Sequence, residues 1–217
     1  MKTSHLLLRC FMNLFSIYYT ISLLSAPAAA AAEQPSPVLD TDRNQLRAGA
    51  DYYILPVVRG RGGGLMLSPT GNKTCPLNVV QEQWEVENGL PVDPKKSVVR
   101  VSTEHNIKFS AATTCAQSTV WSLEYDESND EYLIATGGVE GNPGGGTVSN
   151  WFKIEKYDDG NKGDNNHYYK LVFCPTVCNY CKVICREIGV WVKDGKRVLG
   201  LTNDAPFLVM FKKALTH

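Results

Sequence analysis

The residues with the most evident chemistry are cysteines. Cys174, Cys178, Cys181 and Cys185 crowd into one short stretch, while Cys75 and Cys115 stand well upstream. A Cys-x-x-x-Cys-x-x-Cys spacing supplies the thiolates of some iron–sulfur enzymes, and four thiolates so close also suit tetrahedral zinc. Both need reduced thiols, and the start of the chain speaks against that. Lys2 and Arg9 precede an apolar run over 10–24, and the Ala-rich stretch 26–32 offers small residues for cleavage, so residues 1–32 are expected to be a secretory signal and 33–217 a single domain. Asn13, Ser16, Thr20 and Ser22 interrupt the apolar run, so a cleaved signal is expected there rather than a membrane anchor, and no later segment is expected to span a bilayer. Export takes Cys10 away and places the other six cysteines in an oxidising compartment, which predicts three disulfides, no metal and no cofactor. Sequence leaves the connectivity open. Nested pairing within the cluster, Cys174 with Cys185 and Cys178 with Cys181, leaves Cys75 with Cys115.

Other familiar site chemistries find no support. The runs Gly60-Arg61-Gly62-Gly63-Gly64 and Gly141-Asn142-Pro143-Gly144-Gly145-Gly146 lead into strand-like stretches and lack a helix N-terminus to bind a phosphate, so they read as turns. His105, His167 and His217 show no ligand spacing, and Ser, His and Asp without geometry do not make a triad. No enzyme is expected. With 22 basic and 22 acidic residues in the full chain, loss of Lys2 and Arg9 leaves 20 against 22, a net charge of about −2, which gives no surface for nucleic acid. Asn72-Lys73-Thr74 is a glycosylation sequon in a turn-rich stretch, which suits an exported glycoprotein.

The elements that must carry these residues are strands. Short runs rich in Val, Ile, Tyr, Phe and Trp fall at 51–58, 65–68, 77–83, 98–102, 106–110, 119–125, 131–136, 151–156, 168–174, 188–193, 197–201 and 207–212, with Gly, Asn, Asp or Pro in nearly every gap. This is an all-β pattern of about twelve strands. Residues 120–134 and 151–172 echo each other, each with a Tyr-Asp opening a polar turn, and 44–54 is a weaker counterpart. Three units of four strands suggest a closed threefold barrel, which leaves no sheet edge exposed; a two-sheet sandwich is the alternative.

Between two of these strands, residues 87–101 form a connection longer than a hairpin needs. Pro91 and Pro94 bias it toward extended conformations, so an exposed, stiffened loop is expected there. A Cys75–Cys115 bond would close a ring around it.

The stretch Val38-Leu39-Asp40-Thr41-Asp42-Arg43-Asn44-Gln45-Leu46-Arg47-Ala48-Gly49-Ala50-Asp51-Tyr52-Tyr53-Ile54 resembles the N-terminal signature of the plant soybean-type Kunitz inhibitors. The resemblance continues through Cys75-Pro76-Leu77-Asn78-Val79-Val80-Gln81, Trp151-Phe152-Lys153-Ile154 and Tyr169-Lys170-Leu171-Val172-Phe173-Cys174-Pro175, and is most similar to the miraculin-like branch at Gly137-Gly138-Val139 and Gly141-Asn142-Pro143-Gly144. It implies a β-trefoil with three disulfides, and a secreted or vacuolar, monomeric inhibitor whose partner is a trypsin-like or elastase-like serine endopeptidase. The loop 87–101 would enter the protease as a substrate does, with Asn44 supporting it. Counting back from Val99-Arg100-Val101 places the primary specificity residue at Val98, counting forward from Val79-Val80-Gln81 places it at Val99, and matching proline to proline places it at Lys96, with Ser97 after the scissile bond. The family also includes taste-modifying and storage members, so a non-inhibitory binding or defence protein on the same scaffold is the alternative. Inhibition of cysteine or aspartic proteases through another loop is a further family possibility, with no such loop identified in the sequence.

Overall fold

The structure, a computed structural model, describes residues 34–71, 74–158 and 167–215. The expected signal over 1–32, the sequon residue Asn72 and His217 lie outside them. Ten strands are formed among the described residues: β1 (Tyr52–Pro56), β2 (Leu65–Ser68), β3 (Asn78–Gln81), β4 (Trp121–Asp126), β5 (Glu131–Thr136), β6 (Lys153–Lys156), β7 (Tyr169–Phe173), β8 (Arg186–Lys193), β9 (Lys196–Thr202) and β10 (Leu208–Lys213). Alternation drives them. Tyr52 and Ile54 of β1, and Tyr169, Leu171 and Phe173 of β7, turn inward at every second residue.

The pairings give two layers. Three antiparallel hairpins, β2–β3, β4–β5 and β8–β9, meet through β3, β5 and β9, which pair in all three combinations: Asn78 with Ala135, Val80 with Val198 and Leu133 with Gly200. The second layer is a ring. β1 pairs with β10, β10 with β7 and β7 with β6. Phe152, just before β6, bridges His105; Phe109 bridges Val92; and Val92 returns to Tyr52 of β1. A closed ring capped by a threefold hairpin triplet is a β-trefoil. Its core includes an aromatic column in which Trp121 packs 5.8 Å from Phe109 and 5.9 Å from Phe152, and Phe152 packs 5.5 Å from Phe173.

Two of the twelve expected strands are not regular. Residues 98–102 form one bridge, Arg100 with Pro37, before Ser102 takes a positive φ of 56° that ends the extended run. Residues 106–110 are held by bridges from Lys108 to Val120 and from Phe109 to Val92, so their partners change too quickly for a ladder. The Gly-rich run at 141–146 leads into a 3₁₀-helix, Gly145–Asn150, rather than directly into a strand. The disulfides join Cys75 to Cys115, Cys174 to Cys185 and Cys178 to Cys181. Four cysteines of the cluster are therefore in bonds, and among the described residues no group of three His, Cys, Asp or Glu side chains is gathered for a metal.

Candidate functional site

The segment 87–101 is not exposed throughout, as its length suggests. Val92 is part of the ring: it exchanges both backbone hydrogen bonds with Tyr52, at 2.8 and 3.0 Å. The Asp93 N–H donates to the Lys108 carbonyl at 3.0 Å. Val99, on the other side, is 4% exposed and packs in the core. Beyond Glu87 at its start, the exposed residues of the segment are Lys95, Lys96 and Ser97, with Val98 partly covered. The physical reason is the alternation itself, since an extended segment crossing the rim of a barrel must bury its apolar residues at the points where it crosses.

The apex is clamped by the N-terminal segment through main-chain atoms. The Val99 N–H donates to the Leu46 carbonyl at 2.8 Å, the Val38 N–H to the Val99 carbonyl at 2.9 Å, and the Ala48 N–H to the Lys96 carbonyl at 2.9 Å. Arg100 adds a guanidinium bond to the Pro35 carbonyl at 2.8 Å. Asn44 sits one turn earlier, with its side chain exposed. Its hydrogen bonds among the described residues are main-chain ones: its N–H donates to Asp40 Oδ1 at 2.8 Å, and its carbonyl accepts from the Asp40 N–H at 2.8 Å. Asp40, 1% exposed, also accepts from the Asp42 N–H at 2.9 Å. The turn 40–44 thus sets the path of 46–48, and 46–48 holds the loop.

Glu104 and His105 hold the loop on the side toward Thr176 of the cysteine cluster. Lys96 Nζ donates to the Glu104 carbonyl, and burial lowers the Lys96 ammonium pKa against the opposing pull of Glu104. Glu104 Oε1 accepts from the Thr176 N–H at 2.8 Å, the Thr176 hydroxyl at 2.7 Å and Lys153 Nζ at 3.3 Å. His105, 6% exposed, places Nε2 2.9 Å from the Arg100 carbonyl. Desolvation brings its pKa down to about 4, with Lys96 acting in the same sense and the Arg100 carbonyl and Glu104 against it. Behind the apex lies a cavity of about 350 Å³ lined by Leu46, Val92, Val99, Ile107 and Phe211 among others.

The four candidate reactive-loop residues are therefore in different states. Lys96 has its carbonyl bonded to Ala48 and its ammonium to Glu104; Val99 has both main-chain groups bonded and its side chain in the core. Ser97 and Val98 make no main-chain hydrogen bond among the described residues. Sequence reasoning missed Leu46, Ala48 and Glu104. The first two act through the backbone, which leaves no side-chain signature, and Glu104 acts across a long sequence separation.

The base of the loop rests on the first Gly-rich run. Gly63 N–H donates to the Glu82 carbonyl and Gly64 N–H to the Glu87 carbonyl, both at 2.8 Å. A Cβ on Gly64 would lie 2.0 Å from the Asn88 carbonyl oxygen, so only glycine allows this approach.

A closed trefoil that presents a short, main-chain-braced peptide is a scaffold built to hold that peptide. The chain belongs to the Kunitz legume family of trypsin and protease inhibitors, which its residues 38–213 match. It is 50% identical over 183 residues to Kunitz trypsin inhibitor 5 of Arabidopsis thaliana, covering 82% of this chain and 86% of that one. Miraculin of Synsepalum dulcificum is 46% identical over 216 residues, covering 92% and 95%. The solved structure of soybean trypsin inhibitor matches with a TM-score of 0.65 at 28% identity, over 82% of this chain and 100% of that one. The family consists of inhibitors and related non-enzymatic proteins.

Proposed function

We propose that this chain is an exported, monomeric inhibitor of a serine endopeptidase, that residues 95–99 enter the protease as a substrate does, and that Val98 is the primary specificity residue. The observation that carries the choice is the main-chain state of the apex. A serine protease must place the carbonyl before the scissile bond in its oxyanion hole, so that carbonyl must be unbonded. The Lys96 carbonyl is taken by Ala48 and Val99 is buried. Ser97 and Val98 remain, and Val98 alone is followed by a residue fixed on both its N–H and its carbonyl.

That fixing supports an unproductive cleavage. If the bond from Val98 to Val99 breaks, the upstream piece stays tied through Val92 to Tyr52, and the downstream piece through Val99 to Leu46 and Val38. The new amine and acyl group stay in register, and the entropy that normally carries products apart is not released. The role of Asn44 in this reading is to complete the turn that holds 46–48, through its backbone rather than its amide. A signal over 1–32 directs the chain into the secretory pathway, whose oxidising compartments suit its three disulfides. Valine fits a small apolar specificity pocket of the elastase kind, not the deep acidic pocket of trypsin.

Titration of the oxidised protein against elastase, trypsin and chymotrypsin, with mass spectrometry of each mixture, tests this. Stoichiometric inhibition of elastase with a trace clip after Val98 is expected, and Val98→Arg should transfer inhibition to trypsin. A trypsin complex clipped after Lys96 would refute the assignment. Loss of the loop by simple digestion, or no inhibition at all, would favour the non-inhibitory binding or storage role.

A further inference from the structure

On a different part of the trefoil, the cross-strand pair Gln81 of β3 and Arg197 of β9 lines a cavity of about 610 Å³. That volume lies within the range of roughly 300–1,000 Å³ in which small-ligand sites fall. The cavity shares no lining residue with the one behind the loop. Its walls include Pro56, Val58, Val190, Pro206, Phe207 and Leu208, and Arg61 stands at its edge, exposed.

Arg197 in this cavity is aligned by a chain of bonds. Gln81 is 4% exposed, and its Nε2 donates to the Gly63 carbonyl at 3.0 Å, which fixes the amide. Its Oε1 then accepts from Arg197 Nε at 2.7 Å. The half-buried guanidinium is thereby held by one nitrogen, and Nη1 and Nη2 have no protein acceptor among the described residues. No carboxylate among those residues lies within ion-pair distance of Arg197 or Arg61. Two terminal nitrogens of one guanidinium form a planar fork that matches the two oxygens of a carboxylate, and a fork aligned in advance loses little entropy on binding. A second cation at the edge adds long-range attraction, while the proline, valine, phenylalanine and leucine walls take an apolar body.

We infer that this cavity is a binding site for a small apolar carboxylic acid, its carboxylate on the Arg197 fork and its ring or hydrocarbon body against Phe207, Leu208 and Pro56. The inference is independent of protease inhibition. Its readout is direct binding, so neither result bears on the loop.

The experiment is isothermal titration calorimetry of the oxidised protein with biphenyl-4-carboxylate and, as the uncharged control of the same shape, biphenyl-4-carboxamide. The acid should bind at one site, and the amide about tenfold more weakly or worse, since a charge-assisted fork contributes about that factor. Arg197→Lys keeps the charge but not the fork and should weaken the acid about tenfold while leaving the amide unchanged. Arg61→Gln, at an exposed position that puts no fold at risk, should weaken the acid about twofold to threefold. The proposal is overturned if the acid does not bind in the millimolar range, if acid and amide bind alike, or if the acid binds equally well to both variants. Should Arg197→Lys fail to fold, the acid-to-amide ratio and Arg61→Gln still decide.

Discussion

His105 shows how one buried side chain ties the apex to pH. It lies between the loop and β6: its N–H donates to the Phe152 carbonyl at 2.8 Å, and its imidazole Nε2 meets the Arg100 carbonyl. Burial holds its pKa near 4, whereas the unfolded chain takes up the proton near 6.5. Between those values the unfolded state binds more protons, so stability rises with pH, is complete above about 6.5, and is lost as pH falls toward 4. The loss attributable to His105 should reach about 2 kcal/mol at pH 5. Urea unfolding at pH 7 and pH 5 will show it as a fall in the midpoint, and His105→Gln should remove most of that fall. An equal pH dependence in the two proteins would show that His105 is not the group responsible. The residue-level reading of the sequence was partial for a related reason. The loop was visible as a long, proline-bearing connection over 87–101, but the inward turn of Val99 depends on where the chain crosses the barrel rim. The direct hydrogen bonds to the apex come from Leu46 and Ala48, whose backbone atoms any residue could supply and which therefore leave no mark in the sequence.

Strands were legible wherever both neighbours persist for several residues. β4 and β5 run in register from Trp121 with Thr136 to Asp126 with Glu131; β4 alternates plainly in the sequence, and β5 reads as a short apolar run. Residues 98–102 and 106–110 have equally apolar compositions but exchange partners every two or three residues, which composition does not encode. The Gly-rich run 60–64 was legible as a turn, yet its positional role was not, because a glycine that seats a neighbouring backbone has the same sequence as one that merely turns. The structure separates them. At Gly64 an added methyl would meet the Asn88 carbonyl oxygen at 2.0 Å, a contact that only a shift of the loop base can relieve, whereas at Gly146 nothing lies within 4 Å. Gly64→Ala should therefore cost about 2 kcal/mol or more, while Gly146→Ala should stay within about 0.5 kcal/mol of the parent. Chemical unfolding of the two variants side by side checks this, and equal stabilities would show that the loop base is not seated on the glycine run.

For the molecule as a whole, the trefoil closes noncovalently through its ring and hairpin triplet, and the disulfides close it again at different ranges. Cys75 and Cys115 are 40 residues apart, Cys174 and Cys185 are 11, and Cys178 and Cys181 are 3. The long bond encloses the whole connection from β3 to the segment before β4, including Val92, the apex and His105. It limits how far the two sides of the loop can separate when the chain is cleaved or unfolded. If the bonds act chiefly by removing freedom from the unfolded chain, their contributions follow loop length: about 4 kcal/mol for Cys75–Cys115 and about 2 kcal/mol for Cys178–Cys181. Replacing each pair by serines and measuring urea midpoints should give that order. The same variants separate stability from function. With Cys75–Cys115 removed, the loop is still bonded to Leu46 and Tyr52, so a fresh mixture with the target protease should still be inhibited. Each cleavage then opens a chain with no covalent bridge around the cut, so inhibition should decay over hours as clipped protein accumulates. The Cys178–Cys181 variant, whose ring lies outside 75–115, should hold its inhibition like the parent. Lasting inhibition by both variants would mean that the backbone clamp alone keeps the cleaved ends together.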